Sequence, residues 1–574
     1  MSPPPPASRW VRGARRAAAR LPTLRLSRAP DAPLVTVRDL WPGDATRGAR
    51  LLRGEYEHSG MIRSLQPGAW GDSSGTAELR AAIHGFSWLR DLRALGTDGA
   101  RLKARSMVAD WIGASSLDSV ATRPDVTGAR VMAWLGHYDF FAASADDNFR
   151  QRMMARLVTD ARALAFEIPP ETADARALTV LKGLLAAAIA LPDKESYLAR
   201  VLKWLPKELD RQILPDGSHV ERSPSAHYAA LRDLVEMRGL LQSARVPVPN
   251  VLLLAIERLG PALRVLRHGD GGLALFNGSR EDNASLIDLV LAQAGRGARA
   301  THDMQHGGWQ RLQAGRSVVI VDTGLPARRG LDRNAHAGTL AFEFSSGRDR
   351  IITNCGALPA GGPEWREATR ATAAHSTLVM ADTSSSEVTA DGLGRRPSRV
   401  TAERLESDGA IWLEATHDGW RQSAGLVHRR HLYMAASGDD VRGEDSLEGG
   451  EPRPYALRFH LHPAVHAIRE TQPVESAAPE ARTRSAEPAP AAVDGMVPGE
   501  EAITEKPGAT LRDSILLRTS HTAWLMQVEG GTITVEESVY LGGQMPRQAE
   551  QVVISVPPDG PRCVKWAITR KAKE

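Results

Sequence analysis

Histidines and acids recur along this 574-residue chain at spacings suited to proton transfer. His219 and Glu221 follow the turn Pro215-Asp216-Gly217, and His227 comes shortly after them. An imidazole titrates near neutrality, and a nearby carboxylate can orient it or act as an acid. On that reading His219 is a base or a carboxylate partner at the mouth of a cleft. The same residues also read as polar loop groups, with Glu221 capping the helix that follows and His227 packing on a helix face. His460 and His462 share one strand face beside Arg458, and His428-Arg429-Arg430-His431 is a basic run at a strand start. The first pair could be a metal edge or an anionic-sugar contact, the basic run could hold an acidic polymer, and each also reads as a solvated sheet face or edge. His268-Gly269-Asp270-Gly271-Gly272 lacks the Gly-Lys-Ser/Thr of a phosphate loop. It reads as a tight link, with His268 or Asn277 as a cleft contact in the alternative. The two cysteines, Cys355 and Cys563, form no CxxC, which excludes a disulfide framework and a cysteine-based zinc site.

The elements that must hold these residues change period near residue 300. In 101–113, Ala104, Met107, Val108, Trp111 and Ile112 fall on one helical face. Val131, Trp134, Leu135 and Tyr138 repeat the spacing, and helical stretches follow over 150–167, 175–191, 195–211, 225–243 and 249–267. Many antiparallel helices with short Pro/Gly/Asp links predict an α/α toroid over 36–300. Beyond it the period is two. Leu340, Phe342 and Phe344 alternate with polar or small residues over Thr339–Ser345, predicting a half-buried strand. Ser317–Val321, Leu457–Leu461 and Ile533–Leu541 are also strand-like. Short strands without intervening helices predict an antiparallel β-sandwich over 301–574. Residues 472–510 are rich in Pro, Ala, Glu and Thr and read as a disordered insertion.

The net charge of +4 is carried by one end. Residues 1–30 hold seven arginines and no acid, and the rest of the chain sits at −3. Residues 1–35 therefore read as a disordered basic tail, and the body has no basic stripe of its own to bind nucleic acid. No apolar run reaches the ~18 residues of a membrane span, and no signal peptide is readable. Tryptophan is over-used, at 13 against 9 Phe and 7 Tyr. Indole faces stack on sugar rings, but they also fill cores, and the even spread of Trp between the two regions favours filling.

Longer motifs carry a resemblance. His336-Ala337-Gly338-Thr339-Leu340-Ala341-Phe342-Glu343 is similar to an "H-A-D-x-L-S-F-E" strand. Gly347-Arg348 followed by Ile351–Gly356 resembles a "G-R … D-P-G" segment, and Trp365, Arg370 and Thr372–Thr377 resemble "W … R-x-T-A-A-H-N-T". Asp216–Pro224 resembles "D-G-x-x-x-E-R-S-P-x-Y-H". Together, over roughly residues 80–573, these resemble the heparinase II/III-like polysaccharide lyases. The resemblance implies β-elimination at a uronic acid of an acidic polysaccharide, in a cleft between toroid and sandwich. The uronate carboxylate must be neutralised, a base must remove the C5 proton, and an acid must protonate the leaving oxygen. The resemblance further implies the cell envelope or periplasm, and a mostly structural zinc held by two His and one Asp.

Carried over residue by residue, the resemblance places His219, Glu221, His227, Asn334 and Arg370 in the cleft. Asn334 or Arg370 would neutralise the carboxylate, and His219 or His227 would move the proton. His336, Asn354 and His375 would be the zinc set, with Asn354 a poorer ligand than the usual Asp. Ala226 stands where the motif has Tyr, Asn334 where it often has a catalytic His, and the helix over 175–191 lacks the expected Asn/His pair. Tyr228 is two residues on, about 200° round a helix, on the opposite face from Ala226. Two rivals to lyase activity follow: a catalytically degenerate glycan-binding or envelope-organising protein on the same scaffold, and hydrolysis, which needs a suitably spaced carboxylate pair.

Overall fold

The computed structural model describes residues 29–170, 174–192, 194–295, 301–358, 362–470 and 513–571. The reading of 472–510 as an insertion lies outside these, as does that of the tail before residue 29. Residues 29–35 run along the helical region: Leu34 N donates to Ala190 O at 2.8 Å, and Ala29 and Val35 pack on its core.

The N-terminal region is the expected toroid. Its helices include Asp98–Gly113, Pro124–Gly136, Asp147–Phe166, Ala175–Ala190, Glu195–Gln212, Pro224–Ser243 and Asn250–Val265. Side-chain caps start them where the sequence supplies an oxygen. Thr97 accepts from Ala100 N at 3.2 Å and Asp146 from Phe149 N at 2.9 Å. The predicted stripe Ala104, Met107, Val108 and Trp111 is buried. Trp111 meets Trp134 edge-on at 5.5 Å, and Phe86 joins both. The helices Pro124–Gly136 and Ala175–Ala190 cross at a glycine pair. A Cβ on Gly183 would lie 2.3 Å from Gly128 Cα, so neither position tolerates a side chain.

The C-terminal region is a sandwich of two antiparallel sheets. One has eight strands in the order Val400–Ser407, Ala410–Trp420, Leu426–Met434, Asp440–Gly449, Cys563–Arg570, Ala523–Glu529, Asp513–Arg518 and His466–Glu470. The other has nine, with Tyr455–Leu461, Asp349–Thr353, Phe342–Ser346 and Ser317–Asp322 adjacent at its centre. Between them Phe342 stacks on Trp566 at 5.5 Å and Phe344 meets Trp524 edge-on at 5.0 Å.

The alternation over Thr339–Ser345 predicted one buried face. The observed strand Phe342–Ser346 is buried on both, as is Ser317–Asp322. The second face of this sheet carries the toroid: Val318, Ile320 and Ala341 pack against Val265, Leu266 and Phe276 from the last toroid turns. Nine of the twelve described tryptophans are buried, so most of the excess fills the core of both regions.

Candidate functional site

The segment Asp216–Pro224 fastens the toroid to the sandwich. Asp216 accepts from Ser218 N at 3.0 Å and from Gly307 N at 2.7 Å. Gly217 has φ 84°, and a Cβ there would lie 2.5 Å from Arg258 O, so the turn needs glycine. Arg222 also has a positive φ, 53°, and reaches across the junction. Its guanidinium donates to Gly307 O at 2.7 Å, Leu325 O at 2.8 Å and Gly308 O at 3.1 Å, pairs with buried Asp322, and lies 4.9 Å from the Trp309 ring centre.

The candidate acid–base residues of this segment are likewise committed. His219 is 1% exposed, and its Nε2 bonds Gln212 Oε1 at 2.9 Å. Burial, with a contribution from nearby His227, pushes its pKa down to about 3. His227 is 1% exposed, its Nε2 bonds Leu259 O at 2.9 Å, and burial pushes it down to about 4. Glu221 accepts from Ala175 N at 2.8 Å, which caps the first turn of Ala175–Ala190 rather than its own following helix. Burial first, then the Asp174 charge, raises Glu221 to about 7. The folded chain thus holds this proton more tightly than the unfolded chain. The group costs stability as pH rises from its ordinary 4.5 through about 7. Glu221→Gln keeps the acceptor and removes the charge. It should match the wild type in thermal midpoint at pH 5 and exceed it at pH 8, and equal shifts at both pH values would refute the assignment.

In the sandwich, Arg370 is 3% exposed and spends its fork on backbone carbonyls, donating to Ala335 at 2.9 Å, Thr389 at 2.7 Å and Gly392 at 2.6 Å. Burial, then the neighbouring Arg366 charge, lowers it to about 10. Asn334 is exposed next to Gly278, where an added Cβ would lie 3.2 Å from Asn334 Cβ. His336 and His375 meet, with Nδ1 and Nε2 3.0 Å apart. His375 Nδ1 donates to Ala371 O at 2.8 Å, so its Nε2 accepts from His336 Nδ1 and both rings are neutral. Burial pushes His375 down to about 4 and His336 well below its usual range.

Asn354 is fully buried. Its Oδ1 accepts from Ser376 N at 3.0 Å and its Nδ2 donates to Glu343 at 2.9 Å. The donor set for zinc is thus two imidazoles and an amide already bonded on both sides, with no anionic ligand. Among the described residues no group of three His, Cys, Asp or Glu could hold a metal ion. This set does not fit the two-His, one-Asp site, and no chemical step is derived through a metal.

Two residues outside that selection lie on the helix Pro224–Ser243, near Asp282 of the adjoining loop. Tyr228 and Arg232 lie one turn apart and interact with each other, while Tyr228 Oη and Arg232 Nε, both buried, find no partner beyond this couple. Buried polar atoms are paired in nearly every native structure, so a couple bonded only to itself marks a place for a ligand or water. Asp282, exposed on the adjoining loop, accepts from Ser225 Oγ at 2.8 Å and interacts electrostatically with Arg232. Behind Arg232, Lys182 Nζ and Thr179 Oγ1 each bond Asp233 at 2.6 Å, which fills the helix where the resemblance placed an Asn/His pair. Burial raises the Tyr228 phenol, so its neutral form is favoured. The sequence carries Tyr228 and Arg232 at i, i+4, but among the other polar residues of this helix, such as Asp233, Glu236 and Arg238, the pair does not stand out.

An α/α toroid closed by a two-sheet antiparallel sandwich is the architecture of polysaccharide lyases. Heparinase III superposes with a TM-score of 0.70 at 12% identity, over 98% of this chain and 90% of that one. A heparan sulfate lyase mutant from Pedobacter heparinus superposes at 0.59 and 12% identity, over 99% of this chain and 89% of that one. The profile of the heparinase II/III-like C-terminal domain matches residues 296–567. FtsZ-localized protein C of Caulobacter vibrioides (strain NA1000 / CB15N) is 31% identical over 560 residues, covering 92% of this chain and 88% of that protein. The chain belongs to the heparinase II/III-like family. Among the described residues no helix is long and apolar enough to cross a membrane.

Proposed function

We propose that this protein is a non-eliminating member of the lyase scaffold. It holds an acidic glycan against the Tyr228–Arg232 pair and works, like its relative in name, where FtsZ assembles. One observation carries the reading: both imidazoles that elimination would use as base, and the arginine that would meet the carboxylate, are spent on the fold, which leaves only exposed Asn334 of that set. His219 and His227 are enclosed and neutral, and Arg370 is tied to three carbonyls. Tyr228 offers a hydroxyl donor and Arg232 a guanidinium, which suit a carboxylate or sulfate. With its phenol held neutral, Tyr228 is a donor and a poor base.

The test is to incubate the full chain with a panel of uronate-containing polymers, following both binding and the ultraviolet absorbance of an unsaturated product. Binding without product is expected. Tyr228→Phe should leave the thermal midpoint near wild type, because the buried hydroxyl it removes bonds nothing outside Arg232. It should weaken binding about three- to tenfold, the worth of one hydrogen bond. Product formation by the wild type would overturn the reading, and its loss in Tyr228→Phe would assign lyase chemistry to that residue. A fluorescent fusion that fails to co-localise with FtsZ would remove the division-site part.

A further inference from the structure

We propose that the outer face of the eight-stranded sheet is a binding track for an uncharged oligosaccharide, separate from the toroid. The face is a trough of about 970 Å³, of the size that holds a small-molecule or oligomeric ligand. Register lines its side chains into rows that cross the strands. Leu405, Trp412, Tyr433 and Arg442 are successive cross-strand partners, and Ala567 and Gln527 continue the row. The next row on the same face runs Glu403, Glu414, His431, Glu444, Lys565 and Glu529.

At ~4.8 Å between strands, six positions make a track of about 24 Å, the length of an extended oligosaccharide rather than one sugar. The first row supplies aromatic and apolar surface, its two rings tilted 51° to each other. Trp412 is 39% exposed although most tryptophans here are buried, and its ring lies 5.2 Å from that of Tyr433. Leu405 is 63% exposed beside it. Indole and phenol faces on open surface match the apolar faces of pyranose rings. The second row supplies hydrogen-bonding groups.

Charge selects among ligands. Four carboxylates against Lys565 and Arg442 leave the two rows net negative, so this track does not suit the uronate polymer of the toroid. A strongly basic segment is disfavoured as well, because the central carboxylates are already neutralised. Glu414 pairs with Arg429 and lies 3.7 Å from His431, and Glu444 lies 3.9 Å from Lys565. Arg442, 5.9 Å from the Tyr433 ring centre and 2.7 Å from Asp440, stands in the aromatic row itself. Fixed charges beside aromatics are hydrogen-bond partners for hydroxyl and acetamido groups.

The test is a microarray of uncharged oligosaccharides (β-linked glucose, α-linked glucose and N-acetylglucosamine hexamers) and of lysine/arginine-rich peptides, followed by calorimetry with the best binder. At least one uncharged hexamer should bind. Trp412→Ala and Tyr433→Ala should each weaken it about tenfold or more, while Trp365→Ala, the other exposed tryptophan, should not. All three positions reach solvent, so thermal midpoints should stay near wild type. Uronate-polymer binding should be untouched by Trp412→Ala, which separates this site from the toroid. Absence of any uncharged binder, binding that survives both aromatic substitutions, or selection of the basic peptides alone would each overturn the proposal.

Discussion

Replacing Arg222 with alanine should cost about 3–5 kcal/mol, the range for deleting one partner of a buried ion pair. The reason is geometric. Arg222 is 6% exposed and Asp322 is 4% exposed, so the substitution strands a carboxylate with no water to solvate it. It also removes the donors to the carbonyls of Gly307 and Leu325, and leaves Gly308 O with Thr323 N alone. These groups join the toroid to the sandwich, so the loss should fall on their coupling as well as on total stability. Calorimetry should show a lower first transition, and a wild-type endotherm that is single should split in two. Arg222→Lys keeps the charge toward Asp322 but not the planar fork, and should fall between wild type and alanine. An alanine variant that melts within a degree of wild type, as one transition, would refute the joint.

The fold was legible because its signals are local. The face built on Ala104, Met107, Val108 and Trp111 needs only the 3.6-residue period, and burial follows it. The family was legible because whole motifs stand in order along the chain. The role of Asp216–Pro224 was not. A motif lists residue types, while the partners that decide their use, Gly307, Asp322 and Leu325, lie 85 to 103 residues away. His219 and Glu221 looked like an acid–base couple, and each bonds instead to a neighbouring helix, at Gln212 and at Ala175. The strand Phe342–Ser346 looked half-buried because alternation cannot report that the toroid covers its other face. Trp412 and Tyr433 become a surface only through cross-strand register, which joins residues that are 21 positions apart.

The amide at position 354 follows the same logic, and its replacement is the second large effect. Glu343 Oε1 receives Asn354 Nδ2 at 2.9 Å, Asn354 N at 3.0 Å and Leu275 N at 3.0 Å, while its Oε2 meets His268 Nε2 at 2.8 Å. Asn354→Asp would set a second carboxylate against Glu343 where neither residue reaches solvent. The expected loss is about 3 kcal/mol or more in chelator, exceeding that of Asn354→Ala, which only removes bonds. Two adjacent buried carboxylates cannot both ionise freely, so at least one holds its proton more tightly folded than unfolded. The deficit of Asn354→Asp should therefore grow from pH 5 to pH 8. Zinc should reverse it in part. In the zinc set that the resemblance implies, the imidazole nitrogens 3.0 Å apart would gain the anionic donor they lack, and metal at 100 times its dissociation constant adds about 2.7 kcal/mol. The wild type should gain nothing comparable from zinc. A wild type that is stabilised by zinc as much as the variant would show that the amide serves as a ligand. A variant as stable as wild type in chelator at pH 8 would show that Glu343 does not dictate the residue at 354.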